Sequence, residues 1–97
     1  MTLISVAVVS LEPPERYLGQ LVKHFGHRVP TTLEEGRGSI TFPFGTCTLV
    51  AEGTMLRLRL KAPDAEDLGQ LEHVIKEHLE RFAFKTKPAV TWVRDPV

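Results

Sequence analysis

The clearest pattern in the chain is a strict alternation of apolar and basic residues in its second half. Three leucines alternate with three basic residues, in the order Leu56, Arg57, Leu58, Arg59, Leu60 and Lys61. A period of two places the leucines on one face of a β-strand and the basic side chains on the other. We therefore expect this strand to have one face in the core and the other in solvent or against acidic residues.

The same period extends from Val29 to Ala62 and is interrupted by three turn signals. These are Glu35-Gly36-Arg37-Gly38, Pro43-Phe44-Gly45 and Glu52-Gly53-Thr54. Glycine at such positions is typical of the tight turns that join antiparallel strands. The pattern predicts four strands in an antiparallel meander with one buried face.

Two further segments, Leu3–Ser10 and Ala89–Arg94, contain the β-branched and aromatic residues that favour strands. They predict a first strand and a closing strand. Because Leu3–Ser10 carries apolar residues on both of its faces, we expect it to be a central strand rather than one covered by a partner chain.

Two segments show the three- and four-residue spacing of amphipathic helices. The first, Pro14–Phe25, begins with prolines that the first helical turn tolerates, and Gly26 is expected to end it. The second, Ala65–Arg81, is expected to end near Phe82, with Asp64 as its N-terminal cap.

The predicted order of elements is β-α-β-β-β-β-α-β over a single domain, residues 1–97. This order and the one-sided strands predict an α+β fold, a two-layer sandwich with a mostly antiparallel sheet and two helices on one face. The other face of the sheet carries the basic residues of the alternating strand. If part of that face is apolar, a homodimer would cover it.

Charge and composition narrow the classes of function. Twelve basic and twelve acidic residues cancel, so no overall field favours nucleic acid or a membrane surface. The basic stripe on the predicted sheet lacks the interleaved aromatic residues of single-strand nucleic-acid binders. The apolar run Leu3–Val9 is far shorter than the ~20 residues that span a bilayer. Cys47 is the only cysteine, which fits a reducing compartment, and we expect a cytoplasmic protein.

The candidate chemistry lies in histidines at the ends of the two predicted helices. His24, His27 and His78 could bind a transition metal, zinc or iron, through their imidazole nitrogens. We expect both helices to run in the same direction, so that each ends at the histidine cluster. A structural role is favoured over metal ligation for His24 and His78, but not for His27. For His78 that role is a histidine at the edge of the core that hydrogen-bonds a carbonyl or carboxylate. Cys47 is expected to be a small buried hydrophobe rather than a nucleophile.

A second candidate set could bind a ligand instead of a metal. Arg81 could bind a carboxylate or phosphate, and Phe84 and Trp92 could line a pocket for a flat ligand. The structural alternative is that Arg81 anchors the closing strand while the aromatic residues close the core. An enzyme using His78 as general base beside Glu80 is a further hypothesis, but no phosphate loop, dinucleotide fingerprint or serine elbow accompanies it.

Four stretches of the sequence resemble the bacterial family known as domain of unknown function number 2218. They are Arg16-Tyr17-Leu18 with Lys23-His24-Phe25-Gly26-His27, the segment from Gly38 to Cys47, the segment from His78 to Phe84, and Val90-Thr91-Trp92. The resemblance covers nearly the whole chain in order. It implies no activity, but similar domains occur attached to siderophore-interacting proteins, which implies an iron-related context and partner.

The sequence thus favours a non-catalytic ligand- or metal-binding module with its site near His24, His27 and His78. The alternative is a protein–protein interaction or dimerisation module that acts through the open face of the sheet. A shared histidine pocket favours the first hypothesis, and an exposed apolar sheet face favours the second.

Overall fold

The computed structural model describes residues 2–95, which form one six-stranded antiparallel sheet with both helices on one face. The elements in chain order are β1 (Leu3–Ser10), α1 (Pro14–Phe25), β2 (Thr31–Glu34), β3 (Arg37–Phe42), β4 (Gly45–Glu52), β5 (Met55–Ala62), α2 (Ala65–Phe82) and β6 (Val93–Arg94). The predicted fold class and order of elements are confirmed.

The strands lie in the order β2-β3-β4-β5-β1-β6. The meander of β2 to β5 therefore forms one side of the sheet, and β1 is inserted between β5 and the short edge strand β6. Val6 lies opposite Arg59 of β5 on one side and opposite Val93 of β6 on the other. β1 is an interior strand, as its two apolar faces predict.

The core is the side of the sheet that the helices cover. The three leucines of β5 are fully buried while the basic residues between them are exposed, so the alternation is observed as predicted. Burying one leucine side chain in this way contributes about 1.5–3 kcal/mol. The strands adjacent to β5 add further buried residues to the same face: Ala7, Val9, Cys47 and Leu49.

Helix α1 is anchored by Leu18, Leu21 and Val22, which are buried against the sheet. It ends at Phe25 as predicted, but Gly26 keeps a right-handed conformation with φ −62° and ψ −15°. The chain turns through hydrogen bonds instead, because the Phe25 carbonyl accepts from the amides of Arg28 and Val29 at 3.0 Å.

Helix α2 begins at a side-chain cap and buries a continuous apolar stripe. The Asp64 carboxylate accepts a hydrogen bond from the Asp67 amide at 2.8 Å, which confirms the predicted cap. The buried stripe consists of Leu68, Leu71, Ile75 and Leu79. Among residues 2–95, no helix is long and apolar enough to cross a membrane.

The two helices run in opposite directions, contrary to the expectation that both would end at the same place. Arg16 and Tyr17, near the start of α1, line a depression together with Phe82 and Ala83 at the end of α2. The end of α1 lies one turn further back along α2, where His24 meets His78. His24 and His78 nevertheless meet, because His78 lies one helical turn before the end of α2.

The closing strand is shorter than predicted. Only Val93–Arg94 of the predicted Ala89–Arg94 pairs with the sheet. Val90 is buried and Trp92 packs against the core, so this segment approaches the sheet from the helix side before joining its edge.

A polar network that is buried at Ser5 and exposed at Arg94 holds β6 in place. Glu72 of α2 accepts a hydrogen bond from the Ser5 hydroxyl at 2.6 Å, and its two oxygens accept from Arg94 at 3.2 and 2.9 Å. Arg94, together with the Ser5 hydroxyl, holds the pKa of Glu72 below its usual range although burial acts to raise it. One carboxylate thus connects a helix, an interior strand and an edge strand.

Candidate functional site

The site centres on two histidines that come from different helices. His24 lies in the last turn of α1, and its ring centroid is 4.9 Å from that of His78 on α2, with the ring planes inclined by 47°. His24 is exposed and His78 is half-buried. The structure therefore brings together two of the three histidines predicted as metal ligands.

Phenylalanine rings hold this pair against the core. The Phe25 ring lies 5.0 Å from His24 and 4.8 Å from His78, and it contacts Phe42 of β3 at 5.1 Å. The Phe82 ring lies 5.5 Å from that of His24. The two contacts of His24 are edge-to-face, and the contact between Phe25 and His78 is tilted by 55°. Such contacts restrict ring orientation, so phenylalanine rings support both imidazoles.

The rings open into a depression of about 440 Å³ that we call the histidine depression; its lining residues are His24, Phe25, His27, Arg28 and His78. His27 and Arg28 reach it because the chain turns directly after α1. Sequence reasoning identified the three histidines but missed Arg28. The signal available was its position one residue after His27.

The hydrogen bond of His78 determines which of its two ring nitrogens is already engaged. Its Nδ1 lies 2.7 Å from the Val74 carbonyl oxygen, which only accepts, so Nδ1–H donates. This bond to a carbonyl was the expected structural role of His78. It leaves Nε2 as the atom available for other contacts.

The electrostatic environment of His24 is basic. Partial burial lowers the pKa of His24 below its ordinary value, and the charges of His78, His27, Arg81 and Arg28 lower the pKa further. Glu77, on the exposed side of α2, pairs with His73 at 2.8 Å and with Arg81 at 3.2 Å. Its charge is therefore shared with groups outside the depression.

The predicted metal set does not form a compact cluster. Within residues 2–95, no three His, Cys, Asp or Glu side chains form a group that could hold a metal ion. His24, His27 and His78 share one depression but do not converge on one point. Metal ligation by these residues remains a prediction.

The residues predicted to bind a flat ligand lie in different places. Arg81 pairs with Glu77 on α2. Phe84 is 65% exposed and lines a separate depression that also contains Tyr17 and Lys85. Trp92 packs against the core, and its buried indole nitrogen has no hydrogen-bond partner among residues 2–95. A shared ligand site for Arg81, Phe84 and Trp92 remains a prediction.

Cys47 is fully buried in β4, on the same face of the sheet as Leu49. Burial raises the pKa of its thiol to about 12. The neutral thiol cannot act as a nucleophile. The expected role as a small buried hydrophobe is confirmed.

The open face of the sheet carries an apolar stripe beside the basic one. Val6 and Val8 of β1 lie opposite Arg59 and Arg57 of β5, respectively. Val8 is 47% and Val93 is 67% exposed. An apolar depression of about 580 Å³ lies here, lined by Val6, Val8, Thr91, Val93, Arg94 and Asp95.

Comparison with known proteins gives the class of the chain. The chain is similar in structure to PA4090 of Pseudomonas aeruginosa, which was solved by NMR. The two chains share 29% identity, the match covers 96% of each, and the TM-score is 0.78.

Residues 6–93 match the family DUF2218, described as uncharacterized proteins conserved in bacteria. The chain belongs to this family, and the resemblance seen in the sequence is confirmed. No curated protein matches the chain. The comparisons thus define the fold and the family but no activity.

Proposed function

We propose that this domain is a non-catalytic ligand-binding module and that the histidine depression is its site. One observation carries the proposal: His24 and His78 come from opposite parts of the chain and meet with 4.9 Å between ring centroids at an open depression. Phe25 adds an apolar wall. A concave site with a few convergent polar groups is the usual form of a small-molecule site.

A transition metal, zinc or iron, is one candidate ligand. In its neutral form, His78 would present the Nε2 lone pair while Nδ1–H binds a backbone carbonyl, which is the arrangement usual for metal-binding histidines. Two imidazoles supply only part of a coordination sphere, so such a metal would keep ligands of its own, as in a small chelate. The iron-related context implied by the family resemblance belongs to this candidate.

The proposal predicts that ligand binding depends on the two histidines that meet. We would determine zinc, iron and copper in tag-free protein purified without chelator, and screen a fragment library by ligand-observed NMR. For any metal or fragment that binds, we expect His24→Ala and His78→Ala each to weaken binding at least about tenfold, since each removes a polar contact.

The matched control is His73→Ala, which removes an exposed histidine on the same helix outside the depression. It should bind as the wild type does. Because His24 is exposed, His24→Ala is expected to stay folded even if His78→Ala does not. Absence of any bound metal or fragment, or equal loss in the His73→Ala control, would contradict the proposal.

The open face of the sheet supports a second candidate function, association with another chain. The observation that favours it is the apolar depression around Val6, Val8 and Val93, because exposed apolar patches commonly mark interaction surfaces. A second copy of the chain is the simplest occupant.

This second candidate predicts a homodimer that a charge on β1 disrupts. Wild-type protein at about 100 μM should have the mass of a dimer in light scattering, and Val8→Lys should be monomeric because its ammonium cannot be buried unpaired. Thr32→Lys, at an exposed position near the far edge of the same face, is the control. If the wild-type protein is a monomer at this concentration, the homodimer proposal is contradicted.

A further inference from the structure

We infer that the ligand of the histidine depression is a small oxyanion, a molecule bearing a carboxylate or phosphate group. This inference rests on the proposed function and specifies its ligand class. It is carried by the composition of the lining, which combines three imidazoles and one guanidinium. Within residues 2–95, no carboxylate lines this depression.

The surrounding charges point the same way. All the charged groups that act on His24 are basic: His78, His27, Arg81 and Arg28. The carboxylate that directly precedes His78 in α2, Glu77, is paired with His73 and Arg81. Arg28 therefore gives the depression a permanent positive charge, and a bound anion would compensate it. A metal cation placed there would meet the guanidinium of Arg28.

The available donors suit an oxyanion. A carboxylate or phosphate accepts several hydrogen bonds at once, and a guanidinium matches its geometry. Arg28 supplies the permanent charge. Because Nδ1–H of His78 is bonded to the Val74 carbonyl, Nε2 is the nitrogen that can donate to an anion, and it does so when the ring is protonated. Phe25 gives an apolar surface against which the rest of an aromatic or aliphatic acid can pack.

Compensation of the helix dipole does not account for the whole cluster. Basic residues in the last turn of a helix are stabilised by its negative end, and this explains Lys23 and His24 on α1. Arg28 lies beyond the helix, however, and the Phe25 carbonyl already accepts two backbone amides. The convergence of Arg28 with a histidine from the other helix requires a different reason, which a ligand supplies.

The test is a titration of the folded protein with inorganic phosphate, sodium benzoate and zinc chloride in separate arms, followed through the imidazole proton signals of the histidines. We expect phosphate or benzoate to shift the signals of His24 and His78 with saturation. The phosphate and benzoate arms distinguish the two kinds of oxyanion. Arg28→Gln should weaken this binding at least about tenfold, because it removes the charge-assisted contacts.

Arg37→Gln is the matched control, since Arg37 is an exposed arginine on β3, in a different part of the fold. It should bind anions as the wild type does. Unchanged affinity in Arg28→Gln would overturn the inference. Saturable binding of zinc or of neutral fragments, with no response to either anion, would also overturn it while leaving the proposed binding function in place. No response to any ligand class would overturn both.

Discussion

Replacing Gly45 with alanine is expected to destabilise the domain by about 3 kcal/mol, because overpacking and backbone strain act together. Gly45 starts β4 with φ +157°. A β-carbon there would lie 2.4 Å from the Lys61 carbonyl oxygen and 2.5 Å from the Leu71 side chain. The first contact is with backbone of the paired strand, which cannot move without disturbing the sheet.

Thermal unfolding measures this effect directly. A loss of this size corresponds to a decrease in Tm on the order of 15 °C for a domain of this length. Gly19→Ala makes the same chemical change in α1, where a β-carbon meets nothing within 4 Å. It should stabilise the helix by about 0.5–1 kcal/mol. Equal Tm values for the two variants would show that the start of β4 can shift to accept a side chain.

The second large effect is expected at Glu72. Glu72→Ala removes the acceptor shared by Ser5 and Arg94 and leaves the fully buried Ser5 hydroxyl without its partner. An unsatisfied buried hydroxyl costs about 1–3 kcal/mol, and loss of the charge-assisted bonds adds to this. We expect a total loss of about 3 kcal/mol in urea unfolding.

Glu72→Ala should loosen β6 locally as well as lower the stability of the whole domain. The Asp95 amide donates to the Ile4 carbonyl at 2.9 Å, next to the two pairs that join β6 to β1. In Glu72→Ala, hydrogen exchange at Asp95 should become faster than in the wild type. Glu80→Ala, an exposed glutamate on the same helix, should leave both stability and exchange unchanged. Unaltered exchange at Asp95 in Glu72→Ala would mean that backbone pairing alone holds β6.

The same carboxylate makes stability depend on pH in a defined direction. Because the folded-state pKa of Glu72 is lowered, the unfolded chain binds more protons than the folded chain as pH falls through the usual titration range of glutamate. The contribution of Glu72 is therefore present above that range and is lost as pH falls through the folded-state pKa. Glu72→Gln should have a flatter dependence of unfolding free energy on pH in that range.

The sequence predicted those parts of the fold whose signal is local. The bounds of β1 and α1, the alternation in β5 and the Asp64 cap each follow from residues within one element. The closing strand was predicted too long because β-propensity does not reveal that Val90 and Trp92 pack against the core. The opposite directions of α1 and α2 were missed because direction is set by the order of strands in the sheet.

The site was predictable only in part because its geometry depends on contacts between elements that are distant in sequence. The histidines were recognisable as chemistry-bearing residues at helix ends, but their contact depends on how the two helices cross the sheet. Arg28 enters the depression through a turn that follows α1. The bond between Ser5 and Glu72 joins residues 67 positions apart, and a buried serine in an apolar strand gives no sign of its partner.

The position of β1 between β5 and β6 also bears on how the chain reaches its native state. The strands of the meander pair with their neighbours in sequence, whereas β1 pairs with β5 through contacts such as Leu3 to Ala62. Closing so long a loop carries an entropic cost before the contacts form, and folds rich in such contacts form slowly. During synthesis, the apolar first strand therefore has no partner until the meander has been made. Until then the valines of β1 are exposed, and other proteins or other copies of the chain can bind them.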